Sequence, residues 1–259
     1  MQVESGYLYS AIIPEKYGKP GLYNYCIAVK ENNKITTHPS GILKSPGDWD
    51  FHDNEFWEFT IVEPKSPLRL LIPEKDIDDF AFTRIGDGIR WGIYDIVTND
   101  ANGEPALKIY YPVSYDKNID DYTLSLIVKN KIENRNDKIQ LANSIRIEAK
   151  SESEGQEIYI TLVEADGTSW SKKVALSSQW KTYSIPLEDF TLAKGVKLPL
   201  GFPERWNYWI EPALGRGGEN DRLQPSKIER LQVSLRSGTE GDIDADPWIE
   251  ISSICLLFK

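Results

Sequence analysis

Apolar and polar residues alternate along most of this chain, and this period of two is the feature that most limits its fold. Leu124 and Leu126 alternate with Thr123 and Ser125. The same pattern recurs at 145–148, 158–162, 231–235 and 249–258. Residues two apart lie on one side of a strand, so each stretch predicts a half-buried antiparallel strand. Helical periodicity is hard to find, and we therefore expect an all-β fold.

Turn signals separate these stretches, for example at Asn102-Gly103 and Asp166-Gly167. Many short strands with such breaks predict an antiparallel β-sandwich, or jelly roll. Three prolines, the last of them Pro73, precede an acidic cluster, and we place a domain boundary there. Residues 1–76 form a small β segment, for which an immunoglobulin-like fold is one interpretation, and residues 77–259 form the jelly roll. About seventy residues are few for an independent core.

The chain carries 40 acidic and 30 basic residues, a net charge of −10, without a basic stripe. Nucleic acid and anionic lipid need clustered Lys and Arg, so both are excluded as partners. No apolar run approaches the ~20 residues of a membrane span. Neutral polymers, cations and proteins remain as partners.

Two further observations limit the chemistry and the context of the chain. Only His38 and His52 are available, which nearly excludes a catalytic triad or a metal site built from several histidines. The first residues, Met1–Gly6, lack the basic and apolar regions of a signal peptide. This leaves either a cytoplasmic protein or a piece excised from a longer one.

The stretch 164–190 contains the pattern E-x-D-G-x-x-W, followed by W-x-x-Y-x-I-P-L-x-D-F. This pattern resembles the central strands of galactose-binding-like jelly rolls, in particular the family-11-type carbohydrate-binding modules of bacterial polysaccharide-degrading enzymes. The resemblance extends over about 77–259 and is clearest over 144–190. Within it, Trp180 and Phe190 are expected in the core together with Ile185 and Leu187.

The resemblance implies a non-catalytic module that binds a polysaccharide or oligosaccharide and targets a larger secreted enzyme to it. It also implies a covalently linked catalytic domain and an extracellular or periplasmic location. A catalytic jelly roll, either a polysaccharide lyase or a glycoside hydrolase, is the main alternative, and a structural spacer is the second. The sequence lacks a Gly-x-Ser-x-Gly elbow, a phosphate-binding Gly loop and a dinucleotide fingerprint, and we assign no catalytic residue.

Sugar recognition requires exposed aromatic rings and polar groups that hydrogen-bond hydroxyls. Trp206, Tyr208 and Trp209 lie within four residues, and Glu211 and Arg216 follow them. In a strand, Trp206 and Tyr208 would share one face and Trp209 would lie on the other. We predict a carbohydrate site at these five residues, with a loop that covers a core edge as the alternative.

Two other tryptophans are secondary candidates for the same site. Trp91 precedes Gly92 in a strand-like run, and a Gly there can mark the close approach of a ligand. Trp170 follows a hairpin-type turn and would be exposed at the end of the hairpin. For Trp91 the alternative is an ordinary core position.

Acidic loops give two candidate sites for a structural calcium, which jelly rolls of the resembled type often hold. One contains Asp76 and Asp78, and the other contains Asp242, Asp244 and Asp246. Carboxylate oxygens in a loop suit Ca²⁺. Solvated acidic loops without a metal are the alternative in a chain this acidic.

Overall fold

The computed structural model describes residues 2–5, 8–10, 13–14, 17–32, 34–38, 57–82, 94–110, 121–135, 138–193, 196–200, 205–209, 216–218, 220–236 and 248–259. The chain divides into two compact units, Met1–Ser66 and Pro67–Lys259. The division lies before the boundary expected at residue 76, because strand Leu68–Leu71 pairs within the second unit.

The first unit contains three two-stranded antiparallel sheets. Their strands are β1 (Gln2–Ser5) with β2 (Leu8–Ser10), β3 (Gly21–Tyr25) with β6 (Trp57–Ile61), and β4 (Ile27–Glu31) with β5 (Lys34–His38). On the β3–β6 pair Tyr23 stacks on Phe59 with ring centroids 5.3 Å apart. Leu22, Val29 and Trp57 are exposed, so the described part of this unit lacks a large buried core.

The second unit contains two six-stranded antiparallel sheets. Sheet I has the order β15-β12-β20-β10-β9, and β7 also pairs with β20. Its strands are β7 (Leu68–Leu71), β9 (Tyr94–Thr98), β10 (Pro105–Tyr110), β12 (Ala142–Ser151), β15 (Lys181–Pro186) and β20 (Trp248–Phe258).

Sheet II has the order β16-β14-β13-β19-β11-β8. Its strands are β8 (Ala81–Phe82), β11 (Asp121–Ile127), β13 (Gln156–Glu164), β14 (Ser169–Leu176), β16 (Thr191–Leu192) and β19 (Ile228–Arg236). A separate hairpin pairs β17 (Val196–Leu200) with β18 (Arg205–Trp209). In the described part of this unit the helical elements are α1 (Pro73–Asp76), α2 (Lys129–Glu133) and the 3₁₀ turns Ile77–Asp79, Ile139–Leu141, Leu187–Asp189 and Pro225–Lys227. No described helix is long and apolar enough to cross a membrane.

The two sheets pack as a sandwich around one apolar core. Sheet I contributes Ile145 and Ile147 of β12, and sheet II contributes Ile160 and Leu162 of β13, all fully buried. These residues occupy alternate positions on their strands, as the period of two predicts. Burial of each such side chain contributes about 1.5–3 kcal/mol. The expected all-β, antiparallel β-sandwich of the jelly-roll kind is confirmed.

Candidate functional site

The outward side of sheet II carries a row of uncharged residues that crosses all six strands, and all but the last of them are polar. The antiparallel register aligns them in the order Thr191, Ser171, Thr161, Gln232, Ser125 and Ala81. They alternate with core residues such as Ile160 and Leu124, so they point away from the core. Strands lie about 4.8 Å apart, and the row therefore extends about 24 Å across the sheet.

A second row beside the first one ends in two more buried hydroxyl groups. In register across four strands lie Lys173, Tyr159, Ser234 and Thr123. The hydroxyls of Thr123 and Ser234 are 2.8 Å apart, and those of Thr161 and Ser171 are 2.9 Å apart. Gln232 Nε2 donates to Ser125 Oγ at 3.4 Å. We call six of these residues the polar face: Thr123, Ser125, Thr161, Ser171, Gln232 and Ser234.

All six residues of the polar face are buried, although they lie on the outer side of the sheet. Outward positions of a two-layer sandwich are usually solvated and often charged, so a buried row of hydroxyl and amide groups is unusual there. Each of these side chains can both donate and accept a hydrogen bond. The polar face therefore has the chemistry to bind a neutral ligand rich in hydroxyl groups.

The aromatic stretch predicted from the sequence follows the edge strand of this same sheet. Trp206, Tyr208 and Trp209 lie on strand β18. Before the β17–β18 hairpin, β16 pairs with β14, and Ala193 N donates to Ser169 O at 2.9 Å. Gly217 lies so close to Leu192 that an added Cβ would be 2.3 Å from Leu192 Cδ2. The two ends of the excursion 193–216 thus meet at the edge of sheet II.

Arg216, a predicted sugar contact, instead forms an ion-pair network at the base of this excursion. Its Nη1 lies 2.7 Å from Glu164 Oε2 and 2.8 Å from Asp166 Oδ2. Its Nε lies 2.8 Å from Asp221 Oδ2. Glu164 and Asp166 belong to the β13–β14 hairpin, so the network fixes the end of the excursion to sheet II. The expectation that Arg216 bonds sugar hydroxyls is corrected, because its guanidinium is occupied by three carboxylates.

The network shifts the pKa values of its members in the direction that favours charge. Hydrogen bonds from Arg216 lower the pKa of Asp221 to about 2. Hydrogen bonds to Glu164 and Asp221 raise the pKa of Arg216. Burial opposes ionisation of Asp166, but hydrogen bonds from Thr168 and Arg216 outweigh it and lower that pKa. The ion pairs of Arg216 with Asp221 and Asp166 therefore persist at neutral pH.

Trp170 lies in the core rather than at an exposed hairpin end. Its side chain is 3% exposed, and Nε1 donates to Glu164 Oε1 at 2.9 Å. The expectation of an exposed sugar platform at Trp170 is therefore corrected. Its outward neighbour on β14 is Ser171, a member of the polar face.

The core assignment for the second half of the 164–190 pattern holds in part. Ile185 and Phe190 are buried. Trp180 is only half-buried, and its Nε1 donates to the exposed carboxylate of Asp100. The prediction that Trp180 lies in the core was wrong. Trp180 precedes β15, so the alternation of side chains along that strand does not determine which face of the sheet its ring is on.

In the first acidic loop, Asp76 forms an ion pair with Lys131. Asp76 is buried, and its Oδ1 and Oδ2 lie 2.7 and 2.6 Å from Lys131 Nζ. Its Oδ2 also accepts from Ile72 N at 2.7 Å. Asp78 is exposed. Within the described ranges no group of three or more His, Cys, Asp or Glu side chains could hold a metal ion. Asp76 and Asp78 therefore do not fit a calcium site, because Lys131 already neutralises the buried carboxylate.

Several predicted residues lie outside the described residues: Trp91, Glu211, Asp242, Asp244 and Asp246. For Trp206, Tyr208 and Trp209 the structure describes the strand and its pairing alone.

The polar face was not recognised from the sequence. A signal was present, because outward positions of four strands are Ser, Thr or Gln where Lys or Glu would be ordinary. The sequence could not show that these positions align across the sheet, since strand order and register are set by the tertiary fold.

No family model matches the chain, and no curated protein matches it. Among solved structures, the chain is similar to a family 11 carbohydrate-binding module from Clostridium thermocellum in complex with a β-1,3-1,4-mixed-linked tetrasaccharide. The identity is 13% and the TM-score 0.46, with 74% of this chain and 96% of that chain covered. It is also similar to the family 30 module of a cellulosomal cellulase from Clostridium thermocellum, with 14% identity, a TM-score of 0.39, and 69% and 86% of the two chains covered.

An exo-β-agarase is a third neighbour, with 14% identity and a TM-score of 0.44. The similarity covers 74% of this chain but only 25% of the agarase. Carbohydrate-binding modules of families 11 and 30 are thus among the solved structures to which the chain is similar.

Proposed function

We propose that this chain is a non-catalytic module that binds a neutral polysaccharide along the polar face. The observation that carries the proposal is the row of uncharged hydroxyl and amide groups that the register aligns across the outer side of sheet II. These groups hydrogen-bond one another in the free chain, as Thr123 does with Ser234 and Thr161 with Ser171, and binding would exchange such bonds for bonds to the ligand. A sugar chain, which presents hydroxyl groups along its length, complements the row.

The β17–β18 hairpin supports the same ligand. It carries Trp206, Tyr208 and Trp209, and its ends are fixed to the edge of sheet II by β16 and by the Arg216 network. Aromatic rings on a fixed strand provide large contact areas for the apolar faces of pyranose rings at little entropic cost. We infer that the polar face supplies hydrogen bonds and the hairpin supplies stacking.

The charge of the chain favours a neutral ligand over an acidic one. The net charge is −10, and the members of the polar face are uncharged. An anionic polysaccharide would be repelled by the overall field of the protein. A neutral glycan meets no such repulsion.

The wider role follows from the resemblance and is part of the proposal. The chain would act as an accessory module that targets a larger polysaccharide-degrading enzyme to its substrate, outside the cell or in the periplasm. A structural calcium at Asp242, Asp244 and Asp246 is also proposed. If the metal binds only the native state, thorough chelation with EDTA lowers the melting temperature by mass action. An unchanged melting curve with no metal in elemental analysis would remove calcium from the proposal.

The binding site is tested with a matched pair of hydroxyl variants. Ser171→Ala removes a hydroxyl from the polar face, and Thr60→Ala removes one from an exposed position of β6 in the first unit. A hydrogen bond contributes about 0.5–1.5 kcal/mol, so the first variant weakens binding about two- to tenfold. Affinities are measured against soluble β-glucan, xylan, galactomannan and agarose. If both variants bind as the parent does, the ligand does not contact the polar face.

A further inference from the structure

The outer side of sheet I carries a second group of residues with the chemistry of a ligand site. Three aromatic residues surround two lysines and two carboxylates on β10, β12, β20 and the adjoining turns. The members are Tyr110, Trp180, Trp248, Lys108, Lys150, Glu250 and Asp100, which we call the aromatic–lysine cluster. It lies on the opposite sheet from the polar face, so the two surfaces are separate.

The charged members alternate in sign along one row of the sheet. The register places Lys150 opposite Glu250, and Glu250 opposite Lys108. Glu250 Oε1 lies 3.3 Å from Lys108 Nζ, and Oε2 lies 3.1 Å from Lys150 Nζ. Lys150 Nζ also lies 2.9 Å from Asp100 Oδ1. Two ammonium groups and two carboxylates give the cluster no net charge.

The aromatic rings flank this row of charges. Lys108 Nζ lies 4.0 Å from the Trp248 ring centroid and 5.3 Å from that of Tyr110. Lys150 Nζ lies 5.2 Å from the Trp180 ring, and Trp180 Nε1 donates to Asp100. These contacts fix the rings and the ammonium groups in place. Pre-organised groups lose less entropy when a ligand binds.

The aromatic rings of the cluster are placed for binding rather than for packing in the core. Its rings lie outside the core, and Tyr110, Trp180 and Trp248 are each only half-buried. Half-buried tryptophans beside hydrogen-bonding groups are instead typical of binding surfaces. Burial disfavours the charged form of Lys150, but hydrogen bonds to Asp100 and Glu250 outweigh it and raise the pKa. The ammonium group of Lys150 thus stays protonated at neutral pH.

We propose that the aromatic–lysine cluster is a second carbohydrate-binding surface, specific for a neutral saccharide. Pyranose rings pack on Trp180 and Trp248, while Lys108, Lys150 and Glu250 hydrogen-bond the hydroxyls. The absence of net charge in the cluster favours a neutral ligand. This inference rests on the proposed function, because it assigns the same class of ligand. With sites on opposite sheets, one module would bridge two glycan chains.

The test titrates the full chain with neutral tetrasaccharides of β-glucan, xylan and agarose. Calorimetry gives the number of sites, and NMR follows the indole N–H signals of Trp180 and Trp248. We expect two sites per chain and shifts of both indole signals. Trp248→Ala weakens one site at least tenfold, while Trp57→Ala, at an exposed tryptophan of the first unit, changes neither.

The outcomes separate this inference from the proposed function. Suppose calorimetry finds one binding site that Ser171→Ala weakens, and the indole signals of Trp180 and Trp248 do not shift. This result overturns the second surface and leaves the proposed function in place. No binding of any tetrasaccharide or of the soluble polysaccharides overturns both. If Trp248→Ala lowers the melting temperature strongly, Lys108→Gln, which keeps both rings, serves as the second variant. If both Lys108→Gln and Trp180→Ala still show two sites with the affinities of the parent, the second surface is also overturned.

Discussion

The guanidinium of Arg216 lies 2.7 Å from the fully buried carboxylate of Glu164, across fifty-two positions of sequence. The same carboxylate accepts from Trp170 Nε1 and from Gln224 N, each at 2.9 Å. One buried acidic side chain thus joins the core, the β13–β14 hairpin and the segment after the aromatic strand. This relationship leads to the first prediction.

We expect Arg216→Gln to lower stability by about 3 kcal/mol or more, because it leaves Glu164 charged and unpaired in the interior. For a unit of this size the melting temperature falls by roughly 6–12 °C. Arg146→Gln, at an exposed arginine of β12, is the control and changes little. Glu164→Gln in the Arg216→Gln background recovers part of the loss, since the remaining buried group is then neutral. Equal stability of Arg216→Gln and Arg146→Gln in thermal unfolding would contradict the network.

The same network predicts a specific loss of stability in acid. Arg216 lowers the pKa of Asp221 from 3.8 to about 2 in the folded state. Between these two pKa values the unfolded chain binds more protons than the folded chain, so the free energy of unfolding falls as the pH drops through this range. Above this range the contribution of Asp221 to stability is fully present. Urea unfolding of the parent and of Asp221→Asn is measured at pH 7 and at about pH 3. We expect the variant to be less stable at pH 7 and to lose less on acidification, and an identical pH dependence would refute the role of Asp221.

Alanine substitutions of Trp206, Tyr208 and Trp209, made one at a time, test the aromatic strand. Aromatic anchors at binding sites contribute about 2 kcal/mol or more, so at least one variant should bind glycan about thirtyfold more weakly. That variant should keep its melting temperature. Loss of stability in all three would show that the rings belong to a core. If all three retain both properties, the ligand lies elsewhere, and Trp91 and Glu211 become the next variants.

Much of the fold could be predicted from local pattern. Alternation at residues such as Ile158, Ile160 and Leu162 identified a strand and its core side, because the side-chain period of a strand is two. These features depend only on neighbours in sequence.

The site was harder to predict because it depends on pairing between distant strands. Arg216 looked free beside an aromatic run, but the fold brings it to Glu164 and Asp166 on another hairpin. Trp170 follows a turn, yet its ring lies in the core. The side-chain alternation of β14 already applies to the first residues of the strand, and it places Trp170 on the core side. The polar face and the aromatic–lysine cluster each form only when register aligns strands that are far apart in sequence.

The most direct test of the central claim is electrophoresis of the intact chain in native gels that contain soluble β-glucan, xylan, galactomannan or agarose, with the same polysaccharides assayed for new reducing and unsaturated ends. We predict that at least one polysaccharide retards the protein and that no ends are released. Release of ends would identify the alternative, a lyase or a hydrolase. Unchanged mobility with every polysaccharide and no products would contradict carbohydrate binding and leave a structural spacer.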